Sequence, residues 1–259
     1  MHHRPLDGIR VLEIGSYIAL PYSAVMLAAL GANVVKVERP VTGDDFRRGM
    51  GTQSGYFRQY NAGKQSLAVD LKQPEGVNVI RSLIPRFDVV MENMRPGKLD
   101  ALGLSAEQCQ TLRPDLVYAS VSGFGSGGPL AQRPAYDTIG QAYGGLYTIL
   151  SDDAAAQLSG TALADLVTGI TATAGILAAL VGRGRTGQGQ HVETSLMQAV
   201  SALTVDALNQ YTATGHTDPS RQSRHPQGQN FVLRTASGDS VAIHLSSSQK
   251  FWKSFTNVL

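Results

Sequence analysis

One carboxylate stands apart in this chain. Asp165 lies in the segment GTALADLVTGITATAGILAALVGRGRTGQGQHVETS (residues 160–195), and no further charge follows it until Arg183. The Ala and Leu content of that run predicts a long buried helix, and its many small residues would let a neighbouring backbone approach closely. GRGRTGQGQ stops the helix, and HVETS reads as a returning strand. Asp165 is thereby placed near a helix N-terminus, where the positive end of the macrodipole favours an ionised carboxylate. Two roles are open to it there. It could be a nucleophile toward an activated acyl group, or an N-cap, which on position alone is the commoner role.

Other familiar chemistries have no residues to run on. None of His2, His3, His191, His216, His225 and His244 has a partner at metal-ligand spacing, and one cysteine makes no zinc pattern. There is no G-x-S-x-G elbow and no G-x-x-x-x-G-K-[ST] phosphate loop. Carboxylates, arginines and glycine-rich loops remain, which suit acyl transfer on an anionic carrier. The 259 residues can bury a sizeable core, and 42% hydrophobic with 16% charged residues is ordinary for a soluble enzyme. A net charge of +2 is too weak to point to nucleic acid as a partner. Cys109, the single cysteine, allows no internal disulfide and reads as an apolar filler in a reducing compartment. The opening residues carry no signal-peptide pattern, and the least polar run, Leu166 to Val181, is too short to span a bilayer. The expectation is a cytoplasmic protein without a membrane partner.

The elements that must hold Asp165 follow from the alternation of apolar runs. IRVLEI reads as a buried strand, PYSAVMLAAL as a helix closed by Gly31, and NVVKVE as a second strand. That βαβ unit predicts a parallel sheet with right-handed crossovers, an α/β, Rossmann-like fold. Yet the first turn, GSYIALP, lacks the G-x-G-x-x-G that brings backbone against a pyrophosphate, so Glu38 is not expected to hold a ribose. Residues 39–64 read as a long functional loop. SLAVDL, FDVVMEN and LVYASVS continue the strands, and a helix starts near Pro74. GFGSGGP matches G-x-G-x-x-G through Gly123, Gly125 and Gly128, but Pro129 follows where a helix should, so it reads as a flexible turn near a ligand. YDTIGQAYGGLYTIL predicts a small-residue helix packed on the one after Asp165, and LMQAVSALTVDALNQYTATG a single amphipathic helix. FVLRTASGDSVAIHL reads as a β-hairpin, and SQKFWKSFTNVL as the start of a helix. The division expected is a large domain over 1–210, a linker over 211–229, and the beginning of a small domain over 230–259.

Several segments, in order, carry a resemblance. LDGIRVLEIG, LGANVVKVERPVTGDDFR, NAGKQSLAVDLKQPEG, DVVMENMRPGKLDALGL, PDLVYASVSGFGSGGP, AYDTIGQA, ALADLVTGITATAGILAAL and GRTGQGQHVETSLMQA resemble the family III CoA-transferases. That group contains formyl-CoA transferase, carnitine CoA-transferase and the α-methylacyl-CoA racemases. The resemblance implies two protomers interlocked as linked rings, or a heteromeric assembly given the short chain. It implies that Asp165 is the catalytic aspartate, which attacks an acyl-CoA thioester and passes through an anhydride and an aspartyl-CoA thioester. Tyr136 and Asp137 are implied as supporting residues. Arg39, Lys72, Asn93, Met94 and Arg95 are implied as contacts to coenzyme A, which is a substrate; no permanently bound cofactor is expected.

Departures from the family pattern narrow the reading. Ile18 stands where formyl-CoA transferase has a glutamine, and Tyr136 where the racemases have a histidine. A tyrosine of ordinary pKa is a poor base at neutral pH, which makes α-methylacyl-CoA racemisation the alternative to CoA transfer. A non-catalytic CoA-binding subunit is the third reading. The family's glycine-rich lid would fall near HPQGQ, where Gly228 is the one glycine.

Overall fold

The computed structural model describes residues 3–47, 49–50, 53–151, 157–216, 218–221, 229–245 and 248–258. The chain divides into two compact units, one made of Met1–Tyr147 with Leu158–Thr204, the other of Thr148–Gln157 with Val205–Leu259.

The first unit is a parallel sheet with helices around it. Its strands are β1 (Arg10–Ile14), β2 (Asn33–Glu38), β3 (Gln65–Ala68), β4 (Val89–Glu92), β5 (Val117–Ser122) and β6 (His191–Ser195). They lie in the order β3-β2-β1-β4-β5-β6, all parallel, the doubly wound order of dinucleotide-binding folds. The apolar runs form the strands because such a sheet is buried on both faces. One face is covered by α3 (Pro74–Leu83) and α4 (Ala106–Leu112), whose Ile80 and Cys109 join Leu12, Ile14, Val90 and Tyr118 in one core cluster. Also in this unit are α1 (Ala19–Ala29), α2 (Gly55–Asn61), α5 (Asp137–Tyr143), α7 (Leu163–Thr186) and α8 (Leu196–Ser201). Helix α6 (Leu146–Leu150) follows α5 in sequence.

The helix after Asp165 forms as its composition predicts. Helix α7 runs 24 residues and ends at Gly187, whose φ of 69° is the left-handed stop that glycine permits. By length and composition it could cross a membrane, being longer than the 166–181 run alone. It is nonetheless a core helix, packed on α1, α5, α8, β5 and β6, with Ala164, Thr168, Ala172, Thr173, Ile176 and Ala179 among its buried residues. The small residues do permit close approach. A Cβ placed on Gly169 would stand 2.7 Å from the Ala19 carbonyl oxygen, so α1 and α7 cross there backbone to backbone.

Three sequence expectations change. Residues 39–64 are not all loop: a 3-10 turn at Asp45–Arg47 and helix α2 lie within them, with Ser54 capping α2 by accepting a hydrogen bond from Phe57 N. The helix expected over 136–150 is two, α5 and α6, because Gly145 takes φ 76° and Gly144 presses against Val200. The helix expected over 196–215 is also two, α8 and α9 (Val205–Ala213). Thr204 breaks it, turning its hydroxyl to the Gly144 carbonyl at 3.1 Å.

In the second unit, β7 (Gln229–Arg234) and β8 (Ser240–Leu245) pair antiparallel as the expected hairpin. Thr235 N donates to Asp239 O at 2.9 Å, closing the turn. Helix α10 (Gln249–Thr256) is capped by Ser248. Residues 222–228, which include Gly228 of the expected lid and most of the expected linker's end, fall outside the described residues.

Candidate active site

The doubly wound order changes direction between β1 and β4, and such sheets hold ligands beyond the carboxyl ends of the strands at that point. A cleft of about 190 Å³ opens there. Ser16 to Ala19 after β1, Asn93 to Pro96 after β4, Val121 to Gly123 at the end of β5 and Leu196 after β6 form its walls. Arg133, Tyr136 and Asp165 complete it. The structure thus brings Asp165, Tyr136, Asn93, Met94 and Arg95 around one opening. Arg39 and Lys72 do not line it. They sit on the segments that leave β2 and β3, with Arg39 exposed and paired to Asp45 and Lys72 exposed beside Asp70.

Asp165 is not a cap. The residue in the cap position of α7 is Ala162, which has no side-chain acceptor to offer. The helix's free N–H groups are satisfied from outside by Asp137, whose Oδ1 accepts from Ala164 N at 2.9 Å and from Asp165 N at 3.2 Å. The other oxygen of Asp137 accepts from Gln141 Nε2 at 2.6 Å. Relieved of capping, the Asp165 carboxyl has no hydrogen bond or ion pair among the described residues. The expectation that a helix dipole holds it ionised is also reversed. Burial first, and the Asp137 carboxylate second, push Asp165 up to about 7.

The cleft's walls are braced by Asn93, one of the expected contacts, and by buried groups that the sequence did not single out. Asn93 bridges the two strand ends that flank the switch point, donating to Ser16 O at 2.8 Å and accepting from Ser16 N at 3.1 Å. Glu92, buried at the end of β4, accepts from Met94 N at 2.8 Å, and burial pushes its carboxyl up to about 7. Below the β1 turn lies a cluster of buried charges. Lys36 Nζ stands 2.8 Å from Glu13, 3.0 Å from Asp44 and 2.7 Å from the Gly15 carbonyl. Lys64 Nζ stands 2.7 Å from the other Glu13 oxygen and donates to Pro21 O at 2.9 Å. Burial depresses Lys64 to about 8, and Glu13 only partly offsets it. These ties fix the β1 turn, the start of α1 and the end of α2. A lysine inside a strand carries no signal of burial in one sequence, so the cluster was not legible.

Two further walls are held in unusual ways. Tyr17 has φ 67°, a left-handed backbone that a tyrosine rarely adopts, at the lip of the cleft. Its ring meets Tyr136 edge-on at 5.3 Å, and the hydrogen bond with Tyr136, ahead of burial, pushes Tyr17 up to about 12. The glycine-rich turn is near the cleft as expected, through Gly123, but it is pinned rather than flexible. Glu193 of β6 accepts from both Ser126 N at 2.6 Å and Ser126 Oγ at 2.9 Å. Glu38, set aside above as a ribose ligand, is consumed internally by Arg47 at 2.7 and 2.8 Å and by Ser66. Burial alone would raise it; those donors hold it at about 2.

Such a site has a buried carboxylate of raised basicity, unpaired among the described residues, with tyrosine hydroxyls and guanidinium groups lining the same cleft. Known proteins place the chain in a family. Residues 6–259 match the profile described as CoA-transferase family III. The chain is 39% identical to acetyl-CoA:oxalate CoA-transferase of Acetobacter aceti, over 86% of this chain and 58% of that protein. It is 37% identical to succinate–glutarate CoA-transferase of Agrobacterium fabrum, over 90% of this chain and 62% of that protein. Human succinyl-CoA:glutarate CoA-transferase is 38% identical over 80% of this chain and 48% of its own length. The chain therefore spans about half to two thirds of the curated relatives it matches. Among solved structures, a CAIB/BAIF family protein from Brucella suis superposes with a TM-score of 0.83 at 36% identity, covering 92% of this chain and 65% of that one. A hypothetical protein from Mycobacterium tuberculosis gives 0.85 at 29% identity, covering 98% and 68%. Matched along nearly its whole length by both profile and relatives, this chain belongs to CoA-transferase family III.

Proposed function

We propose that this protein moves coenzyme A from an acyl-CoA to a free carboxylic acid, with Asp165 as the covalent nucleophile. The observation that carries the reading is the Asp165 carboxyl itself: facing the cleft, free of partners among the described residues, and raised to about 7 by burial and Asp137. A desolvated carboxylate is a stronger nucleophile, and acylation removes the charge that its surroundings disfavour.

The steps balance. An Asp165 oxygen attacks the thioester carbonyl, the C–S bond breaks, and the CoA thiolate departs to leave an aspartyl anhydride. The thiolate then attacks the aspartyl carbonyl and releases the donor acid, giving an aspartyl-CoA thioester. The acceptor carboxylate attacks that thioester and frees the thiolate, which takes the acceptor acyl group and restores Asp165. Tyr17 and Tyr136 would donate hydrogen bonds to the oxyanion that develops at each attack. Asn93, Met94 and Arg95 would flank coenzyme A at the strand ends, with Arg39 and Lys72 reaching its phosphates along the same edge. The relatives are named for oxalate and glutarate, which supports a dicarboxylic acid as the acceptor class.

Partner and compartment follow the same reading. The outward side of α7 carries Ile170 and Val181, both about half exposed, which supports an interlocked homodimer in the intact protein. A relative named as a β subunit keeps a heteromer as the alternative. The lone, buried Cys109 supports a cytoplasmic setting. Intact-protein mass spectrometry after incubation with succinyl-CoA tests the chemistry: an adduct trapped by hydroxylamine at Asp165 is expected, and its absence from a protein that still exchanges CoA would sink the mechanism. Deuterium entering the α-carbon without exchange of acids would indicate the racemase instead.

A further inference from the structure

Gln141 is among the most buried polar side chains in the molecule, at 1% exposure, yet the mechanism above gives it no task. Its amide is oriented at some cost. Nε2 donates to Asp137 Oδ2 at 2.6 Å and to Thr161 O at 3.2 Å, while Oε1 is buried without a hydrogen-bond partner among the described residues. A buried acceptor left unsatisfied is disfavoured, and an amide free to choose would rotate to avoid it. It is prevented because Asp137 needs a donor on that side. Gly140 makes the approach possible, since a Cβ there would stand 2.7 Å from Leu196 and 3.1 Å from Ala164.

We propose that Gln141 is the positioning residue for Asp165, acting through Asp137: its amide locks the Asp137 carboxylate as an external cap on α7, which leaves the Asp165 carboxyl turned into the cleft without a partner. The proposal rests on the reading of Asp165 as the nucleophile and deepens it. With one Asp137 oxygen held by Gln141 and the other by two backbone N–H groups, the Asp137 side chain is fixed beside Asp165. An anion fixed at that place keeps the Asp165 carboxyl basic. The groups that surround Asp165 are Asp137 on α5, Tyr60 on α2, and Tyr17, Tyr136, Arg95 and Arg133 along the cleft. Of these, Asp137 alone is held by Gln141.

The test is the titration of Asp165 by 13C-carboxyl NMR in aspartate-labelled protein, with Asp165→Asn assigning the signal. In Gln141→Met, which keeps the volume and removes the donor, the midpoint is expected to fall by about one pH unit from the wild-type value. In Gln141→Glu, which puts a third acid beside the other two, the midpoint is expected to rise above the wild-type value. Opposite behaviour in two variants of similar size is not what simple loosening of a helix would give. The Glu variant also carries the test alone should the Met variant lose its fold by circular dichroism. In the Met variant the single-turnover rate of adduct formation is expected to fall about tenfold or more. A midpoint unchanged in both variants overturns the proposal. A shifted midpoint in a protein that forms no adduct sustains the positioning role and overturns the nucleophile reading, so the two failures are distinguishable.

Discussion

The two units of this chain are written in the same residue types and treat them differently. In β1, Val11, Leu12 and Ile14 are 0, 0 and 2% exposed; in the hairpin, Val232, Leu233 and Val241 are 78, 45 and 42% exposed. Helix α7 buries Ile176 fully, while α9 leaves Leu208 at 63% and α10 leaves Phe251 at 49%. Both sets form regular elements, because period and propensity suffice for that. Only the first unit has layers on both faces of a sheet, so only there does an apolar side chain become part of a core. The first unit can consequently hold lysines and acids in its interior and keep a carboxyl in its cleft that has no partner among the described residues. Burial is what makes those groups unusual.

The sharpest way to break that contrast is chemical. Asp165→Asn is expected to lower CoA exchange about 10⁴-fold or more, measured with succinyl-CoA and a panel of dicarboxylic acids. Retained exchange would remove the first unit's claim to the chemistry. Next in size is the buried charge cluster. Glu13→Gln leaves two buried ammonium groups short of their shared partner, and a loss of about 3–5 kcal/mol is expected in urea unfolding. Ordinary core packing comes third and sharpens the comparison directly. Ile176→Ala is expected to cost about 2–5 kcal/mol, whereas Leu208→Ala should stay within about 0.5 kcal/mol of wild type. Equal costs for the two would show that α9 is covered in solution.

The smallest effect has a definite sign. Asp165 carries a pKa of about 7 in the fold against an ordinary 3.8, so the folded chain binds its proton more tightly. The stability this gives is fully present below pH 3.8 and is lost as pH rises through about 7. Asp165→Asn is therefore expected to raise Tm at pH 8 by a few degrees, roughly 2–4 °C for each kcal/mol recovered, and to leave it unchanged near pH 4. A variant no more stable at pH 8 would mean that the ionised acid is better solvated than its surroundings allow. Under the proposed mechanism the same titration would set catalysis, and CoA exchange followed against pH is expected to rise as pH passes about 7, because the anion would be the attacking form.

Much of the fold was legible because it depends on local pattern. The strands β1, β2, β4 and β5 are apolar runs between turn residues, and α7 ends within the glycine-rich segment expected to stop it, at Gly187 after running past Gly182 and Gly184. Helix α2 was missed since GYFRQYN has neither a strong apolar stripe nor high propensity; Ser54 and the Arg47 guanidinium, 3.7 Å over Phe57, hold it instead. The helices broken after α5 and α8 were read as continuous because the breaks are made by contacts between them. Gly144 meets Val200, and Thr204 reaches the Gly144 carbonyl, sixty positions away in sequence. Asp165 was singled out by its isolation in an uncharged run, while its expected role, like those of Asp137 and Tyr136, came from family resemblance. Gln141, Lys36, Lys64 and Glu193 carry no such signal, for each looks like an ordinary surface residue until its surroundings are known.

The chain by itself determined the α/β alternation, the long helix and the acid in its first turn, since periodicity, propensity and glycine stops act over a few residues. Which face of that acid's helix meets another carboxylate, and whether the acid caps or faces a cleft, was decided only by the fold. Electrostatics and desolvation act through space: burial in the fold does most to set the state of Asp165, and the carboxylate that adds to it stands on α5, twenty-eight positions upstream.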